Sequence, residues 1–420
     1  MTRSIDRSLA AGGLPPLQRT AWVEVDIDQL QANGRALRDL AAPAALGPVV
    51  KADGYGHGLE AAARCAVSAG ASWLCVADTG EAERLRSDGY EGRVLVLYPV
   101  PHPALPTMSR LQVDVSVGSL EGAAATAGGE HSLIAAHLEI DTGMTRGGVA
   151  PSDALQAAAT LASGPGSRLA GVWTHLAAPE DSDATSRQME LFQSTLRQLE
   201  TNGIDPGVTH VSASGGLLAV AERSHMVRPG LAYYGLHPGA GSALPADVRP
   251  ALALRALPVR LTEVPAGTAV GYAGTWVAER TSRIATVPVG YADGWSRSGS
   301  PGTFALVAGQ RAPVVGRISS DSLTVDVTDV TEAGPHSTVT LLGRDGEDEV
   351  TADEVAGARG TISWEVLQQL GARLARVYFA GGNPVASRPE STTDLILAPG
   401  GTLPGYRIDQ APLSATKPDA

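Results

Sequence analysis

Apolar and polar positions along this chain fall into two textures, one following the other. Up to about Gly235, short apolar runs end in small or polar residues and give way to longer segments with helical spacing. Trp22-Val23-Glu24-Val25 alternates as a strand. Asp26 or Asp28 then caps a helix that carries Ile27, Leu30, Leu37 and Leu40 along one face. The rhythm repeats, with strands ending near Lys51, Ala77, Tyr98, Val117, Ile140, His175, Ser212 and Arg228. Helices rich in Ala, Leu, Glu and Arg lie between them, such as 79–88, closed by Gly89, and 185–201, closed near Gly203. Eight strand ends spread over roughly 200 residues predict a (β/α)8 TIM-like barrel. The rival is a doubly wound sheet, but no G-x-G-x-x-G opens a helix after the first strand.

After Gly235 the texture changes. Residues 236–250 read as a linker. From 251 the chain shows short Val/Thr/Leu alternations divided by glycine turns, at 253–262, 283–289, 303–308, 323–327 and 337–342. Thr351-Ala352-Asp353-Glu354 is a capping box that starts one short helix, and a second begins near Ser363. The fold class expected is α/β, a barrel followed by a smaller mainly-β C-terminal domain. Its parts are a loose Gly/Pro-rich leader over 1–20, the barrel over 21–245, the β-rich domain over 246–383 and an irregular tail over 384–420.

Charge narrows the partners. A net charge of −12 and a pI near 5.2 argue against nucleic acid and anionic membranes. No apolar run reaches transmembrane length, and the N-terminal apolar patch is broken by Gly12, Gly13, Pro15 and Pro16. Cys65 and Cys75 form no Cys-x-x-Cys and suit a reducing cytoplasm. No metal-ligand spacing stands out.

Composition then isolates one residue. Of the 32 basic side chains only Lys51 and Lys417 are lysines, so thirty are arginines. Lys51 follows Pro48-Val49-Val50 and precedes Ala52-Asp53-Gly54-Tyr55-Gly56-His57-Gly58, where a strand gives way to a glycine-rich loop. A lone lysine at a strand end ordinarily snorkels toward water. A chain that assigns nearly every cationic duty to Arg keeps a lysine for what Arg cannot do, namely lose its proton and form an imine. The other barrel strand ends offer Arg146, His175, Ser212, Ser214 and Arg228. Ser212-Ala213-Ser214-Gly215-Gly216 and Arg228-Pro229-Gly230-Leu231 suit a phosphate held after strands seven and eight. A lysine opposite a phosphate cradle points to pyridoxal phosphate. A histidine such as His175, taken by itself, is more often a satisfied core residue.

Taken in order, these blocks resemble the alanine racemase family, the barrel-plus-β-domain class of pyridoxal phosphate enzymes. The resemblance covers about residues 20 to 380. It includes Val49 to Gly58, Asp141-Thr142-Gly143-Met144-Thr145-Arg146, Thr174-His175 and Val227-Arg228-Pro229-Gly230-Leu231-Ala232-Tyr233-Tyr234-Gly235. It continues with Gly271-Tyr272, Val289-Gly290-Tyr291-Ala292-Asp293-Gly294-Trp295, Val315-Gly316-Arg317-Ile318 with Asp321, and Arg376-Val377-Tyr378.

The resemblance implies a role for each position. Lys51 is similar to the lysine that carries the cofactor as an imine and then acts as base on one face of the α-carbon. Tyr272 is similar to the base on the opposite face, and needs nearby positive charge to act at neutral pH. His175 and Arg228 are implied to supply that network. Arg228 resembles the partner of the pyridine nitrogen, which an arginine leaves unprotonated. Tyr55, Ser214, Gly230, Leu231 and Tyr378 resemble the phosphate-side contacts. Arg146 resembles the group beside the cofactor hydroxyl and substrate carboxylate. Tyr291, Ser320 and Asp321 resemble residues bounding the substrate pocket. The family further implies a head-to-tail homodimer whose active sites are shared between chains.

Three positions depart from the family pattern. Glu139 stands where many members have a lysine that becomes carbamylated to pin the arginine. Ala213 replaces the usual Asn before Ser214, and Ser320 replaces a Met whose backbone N–H meets the substrate carboxylate. The expected activity is interconversion of L- and D-alanine. Serine or another small amino acid is the alternative substrate. A D-amino-acid aldolase would need a metal site late in the chain, yet no Cys follows Cys75. A non-catalytic pyridoxal phosphate-binding protein would resemble the barrel alone, without residues 251–380 and Tyr272.

Overall fold

The computed structural model describes residues 4–406 apart from 130, 221–223, 240–242 and 301. Two compact units emerge. One holds Leu30–Gly54 and Leu59–Arg249, together with 404–406. The other holds the chain up to Gln29, Tyr55–Gly58 and Pro250–Leu403.

The first unit is the expected barrel. Its eight strands run, in spatial order, Ala45–Leu46, Met226–Arg228, Val208–Ala213, Ser167–Trp173, Ile134–Glu139, Asp114–Val117, Arg93–Pro99 and Trp73–Val76. Every neighbouring pair is parallel. Val49 bridges Cys75 to close the ring, with Val50 N–H donating to the Cys75 carbonyl at 2.8 Å. Strands buried on both faces read as continuous apolar runs, as Trp73–Val76 does; Asp114–Val117 is wholly buried as well, although it carries the polar residues Asp114 and Ser116. Both cysteines are buried, and no disulfide joins them.

The second unit is mainly β. Its large sheet includes the expected strands, now seen as Leu252–Ala256, Arg260–Val264, Ser282–Val287, Phe304–Val307, Leu323–Asp326 and Val339–Asp345. Gln310–Val315 also belongs to it, although Pro313 had masked the alternation there. Thr351 caps helix Ala352–Arg359 by accepting the Glu354 N–H, and helix Ser363–Gln368 follows.

Three boundaries differ from expectation. Ala21–Asp26 is not a barrel strand. It pairs antiparallel with Leu252–Ala256 and parallel with Ala375–Ala380, so the barrel starts at Ala45 rather than near 21. Alternation identifies a strand but not its partner. The leader is not loose: Ser4–Ala11 is a helix whose Ile5 and Leu9, one turn apart, pack with Leu14, Leu17, Trp22 and Val377. The tail begins as the strand Asn383–Arg388, paired to Ala375–Ala380, and a short strand Ile396–Leu397 follows. Of the expected irregular tail, 407–420 lies outside the described residues. Among the described residues no helix is long and apolar enough to cross a membrane.

Candidate active site

The barrel mouth is built around Lys51. Directly after it, Ala52, Asp53, Gly54 and Tyr55 take φ of 52°, 54°, 62° and 51°, a left-handed turn closed by the Gly54 N–H to the Val50 carbonyl at 2.9 Å. Left-handed backbone costs a non-glycine residue about 1–2 kcal/mol. Side-chain bonds offset that cost. Glu81 accepts the Ala52 N–H at 2.6 Å through one oxygen and the Ala77 N–H at 2.8 Å through the other. Asp53 Oδ1 accepts the Leu59 N–H at 3.2 Å and is met by Arg84 at 3.1 Å. Lys51 Nζ lies 5.7 Å from the Tyr98 ring centroid. Burial, then the charge of Arg146, lowers its pKa, against the pull of Glu81.

Arg228 ends the last barrel strand and is fully enclosed. Its guanidinium donates to His210 Nδ1 at 2.7 Å, the Thr174 carbonyl at 3.1 Å and the Val211 carbonyl at 3.2 Å, and approaches His175 Nδ1 at 3.5 Å. Trp173 lies under it, 4.7 Å from ring centroid to guanidinium carbon. Burial lowers the Arg228 pKa to about 10, so it remains a cation at neutral pH. His175 is pushed down to about 3, by burial first and then by Arg228, Arg146 and Lys51, so it is neutral. Lys51, Arg146, His175 and Arg228 thus share one cationic field inside an acidic protein.

Behind Arg228 stand residues that the sequence reading missed. His210 Nε2 lies 2.9 Å from His137 Nδ1. His137 Nε2 lies 3.4 Å from an Asp114 oxygen, and that oxygen also accepts from Arg93 at 2.7 Å. Gln188 bonds Thr142 Oγ1, the His175 carbonyl and the Ala177 N–H, fixing the loops after strands five and six. The signal was available: His137, between Ala136 and Leu138, and His210, beside Val211, are imidazoles in strand interiors, where each must find a partner.

On the phosphate side, Ser214 Oγ accepts the N–H groups of Gly230 and Ala232 at 3.0 and 3.1 Å, joining the two loops expected to form a cradle. Leu231 opens the short 3-10 turn that follows. In the other unit, Tyr55 and Tyr378 are buried, and a Cβ on Gly58 would lie 2.2 Å from the Tyr378 hydroxyl. Gly58 also has a φ of 98°, so glycine alone suits that position. Arg376 donates to the Gly56 carbonyl at 3.1 Å and holds this loop.

Tyr272, Tyr291, Ser320 and Asp321 all belong to the second unit. Tyr272 sits on a turn between Gly271, with φ of 75°, and Ala273, with φ of 62°, and is 66% exposed. The Tyr291 N–H donates to the Ser319 carbonyl at 3.1 Å and the Ala292 N–H to the Ser320 carbonyl at 2.9 Å, so these two loops form one wall. A Cβ on Gly290 would meet both carbonyls within 2.4 Å. Arg373 pairs with Asp321 at 2.7 Å and approaches Asp293 at 3.4 Å. Arg19, from the supposed leader, donates to both oxygens of buried Asp293 at 2.6 and 3.1 Å and so anchors the Tyr291 turn.

Glu139 is buried, and burial raises its pKa against the opposing charges of Arg146 and Arg228. No ion pair or hydrogen bond joins it to Arg146 among the described residues, so the expected direct pin is replaced by a longer-range Coulombic attraction. Arg146 itself is exposed. Among the described residues no group of three or more His, Cys, Asp or Glu could hold a metal.

The donor set fits pyridoxal phosphate: an amine with a lowered pKa for the aldehyde, a buried guanidinium for the ring nitrogen, and a joined serine–glycine cradle for the phosphate. Comparison with known proteins agrees. Residues 25–238 match the family model for the alanine racemase N-terminal domain, and 251–378 match its C-terminal domain. An alanine racemase of Desulfovibrio desulfuricans is 36% identical over 367 residues, covering 86% of this chain and 98% of the relative. One from Sorangium cellulosum is 38% identical over 377 residues, covering 86% and 99%. The crystal structure of alanine racemase from Bacillus anthracis with bound L-Ala-P superposes with a TM-score of 0.85 at 31% identity, covering 89% of this chain and 99% of that one. The enzyme from the D-cycloserine producer Streptomyces lavendulae gives 0.81 at 34% identity, covering 87% and 98%. The chain belongs to the alanine racemase family, pyridoxal phosphate-dependent isomerases that interconvert L- and D-alanine.

Proposed function

We propose that Lys51 and Tyr272 are the two bases of this racemase, acting on opposite faces of the alanine α-carbon. The observation that carries this is the half-buried, pKa-lowered Lys51 in a mouth made cationic by Arg146 and Arg228. Bound pyridoxal phosphate supplies an electron sink that acidifies the α C–H bond of the amino acid joined to it. Lys51 Nζ would hold the cofactor aldehyde, and its amine, with a pKa lowered by burial and by Arg146, would take or return the α-proton on one face. Tyr272 Oη does the same from the other face, so that each enantiomer is deprotonated by one group and reprotonated by the other.

Arg228 would hold the ring nitrogen of the bound cofactor without yielding a proton to it, which would moderate the sink and disfavour side reactions. Neutral His175 sits beside it and orients the tyrosine side of the proton path. Ser214, Gly230, Leu231, Tyr55 and Tyr378 hold the phosphate. Arg146 meets the substrate carboxylate. Tyr291, Ser320 and Asp321 bound a pocket that suits a methyl side chain. The active site is shared by two chains of a homodimer. Supporting this, Tyr272 and Tyr291 stand 66% and 48% exposed on glycine-locked turns, aromatic surface that an isolated chain leaves uncovered.

Borohydride reduction of the yellow protein followed by peptide mapping should place the adduct on the Lys51 peptide. An adduct on Lys417, or none, removes the reading. Chiral analysis of a panel of L-amino acids should show alanine turned over fastest. A preference for serine would move the substrate and keep the bases.

A further inference from the structure

Arg228 can only donate hydrogen bonds. That one fact orients every proton behind it. His210 Nδ1, 2.7 Å from the guanidinium, must be an acceptor and carries no hydrogen. His210 is buried, and burial followed by the charge of Arg228 holds its pKa well below the usual value, so its single proton sits on Nε2. That proton points at His137 Nδ1, 2.9 Å away, which must in turn accept. The proton of His137 is then on Nε2, which has no hydrogen-bond partner among the described residues and lies at ion-pair distance, 3.4 Å, from the Asp114 carboxylate. Asp114 is fixed by Arg93 at 2.7 Å. Trp173 stacks on His210 with ring centroids 5.6 Å apart, and Trp73 meets His137 edge-on at 5.3 Å, so the row is walled by aromatic rings.

We infer that Asp114 is a positioning residue for racemisation, setting the tautomers of His137 and His210 and through them the direction in which Arg228 donates. The inference rests on the reading of Arg228 as the cofactor's ring partner. An asparagine at 114 illustrates the physics. Its amide could donate to His137 Nε2, which would move that histidine's proton to Nδ1, facing the Nε2–H of His210. Relieving that clash moves the His210 proton to Nδ1, against the guanidinium. The row then has two opposed donors at some link, and Arg228 must turn. At metal sites, partners that orient the ligands typically change activity 10–100-fold when mutated, and the lower end of that range is expected for a row that orients Arg228.

The test uses the full-length protein with cofactor bound, labelled with 15N at histidine and assigned with His137→Asn and His210→Asn. Both histidines should appear as neutral Nε2–H tautomers. An Nδ1–H form of either in the wild-type protein overturns the proposal. Asp114→Asn should flip or mix these tautomers, shift the absorption maximum of the bound cofactor, and lower kcat about tenfold or more with KM for alanine within about twofold. Asp114→Glu should restore much of each. Arg93→Gln, which leaves the carboxylate in place, should lower Tm while leaving tautomers and spectrum unchanged. Equal effects of Asp114→Asn and Arg93→Gln, on Tm alone, would reduce Asp114 to a structural strut. Flipped tautomers with unchanged spectrum and kcat would also overturn the proposal. Failure of the underlying reading looks different: Arg228→Lys would leave the cofactor spectrum unchanged while the tautomer pattern of the wild-type protein stood.

Discussion

The carboxylate of Glu81 accepts the N–H of Ala52, the residue after Lys51, at 2.6 Å, while its other oxygen accepts the Ala77 N–H at 2.8 Å. One side chain therefore fixes the Lys51 turn to the end of the neighbouring strand. Glutamine can accept only one of these bonds and presents an N–H to the other. Glu81→Gln should cost about 1–3 kcal/mol in denaturant unfolding. It should also loosen cofactor retention about tenfold, because the left-handed turn loses its support. Unchanged cofactor dissociation would show that the turn holds without Glu81.

Stability should fall on the acid side through buried histidines. His175, His137 and His210 all have pKa values lowered in the folded state, His175 to about 3, with burial the first cause in each. The unfolded chain takes up these protons near the ordinary histidine value of about 6.5, whereas the folded chain does not. Their stabilisation is therefore complete above that pH and is lost as pH falls toward the folded values. Each histidine contributes a slope of up to about 1.4 kcal/mol per pH unit in that window. Unfolding free energy measured from pH 7 to 4.5 should decline, and His175→Gln should flatten the decline by one proton. An equally steep slope in that variant would remove His175 from the account.

Glu139 replaces a lysine that could have been carbamylated, so bicarbonate should be irrelevant. Activity should stay unchanged when carbon dioxide is stripped from the buffer. The carboxylate interacts with Arg146 through space, without an ion pair, so its charge matters modestly. Glu139→Gln should raise KM for alanine by roughly three- to tenfold with kcat little affected. A requirement for bicarbonate, or an inert Glu139→Gln, counts against this assignment.

If each active site joins Lys51 of one chain to Tyr272 of its partner, lesions in the two residues should complement. Lys51→Ala and Tyr272→Phe should each abolish racemisation. In a mixed dimer one site carries both lesions and the other carries neither. Random pairing makes about half the dimers mixed, so about a quarter of wild-type activity should return on co-expression. Mixed dimers recovered by two affinity tags but lacking activity would place both residues in one chain's site.

Much of this protein follows from local sequence. Buried parallel strands are largely apolar and end in polar loops, so eight strand ends and Lys51 could be read directly. The scarcity of lysine singled out Lys51 because chemistry separates the two cations. The tertiary structure decided what depends on partners distant in the chain. Alternation at Trp22–Val25 specifies a strand, yet only pairing with Leu252–Ala256 and Ala375–Ala380 assigns its sheet. Arg19 looks like a solvated charge in a Gly/Pro-rich leader until Asp293, far along the chain, closes on it. His137 and His210 are isolated polar residues in sequence, and only barrel closure aligns them with Asp114 and Arg228. Periodicity reports which face of an element is buried. It carries no information about which buried donor will meet which acceptor, because that is settled by long-range packing once the chain has closed.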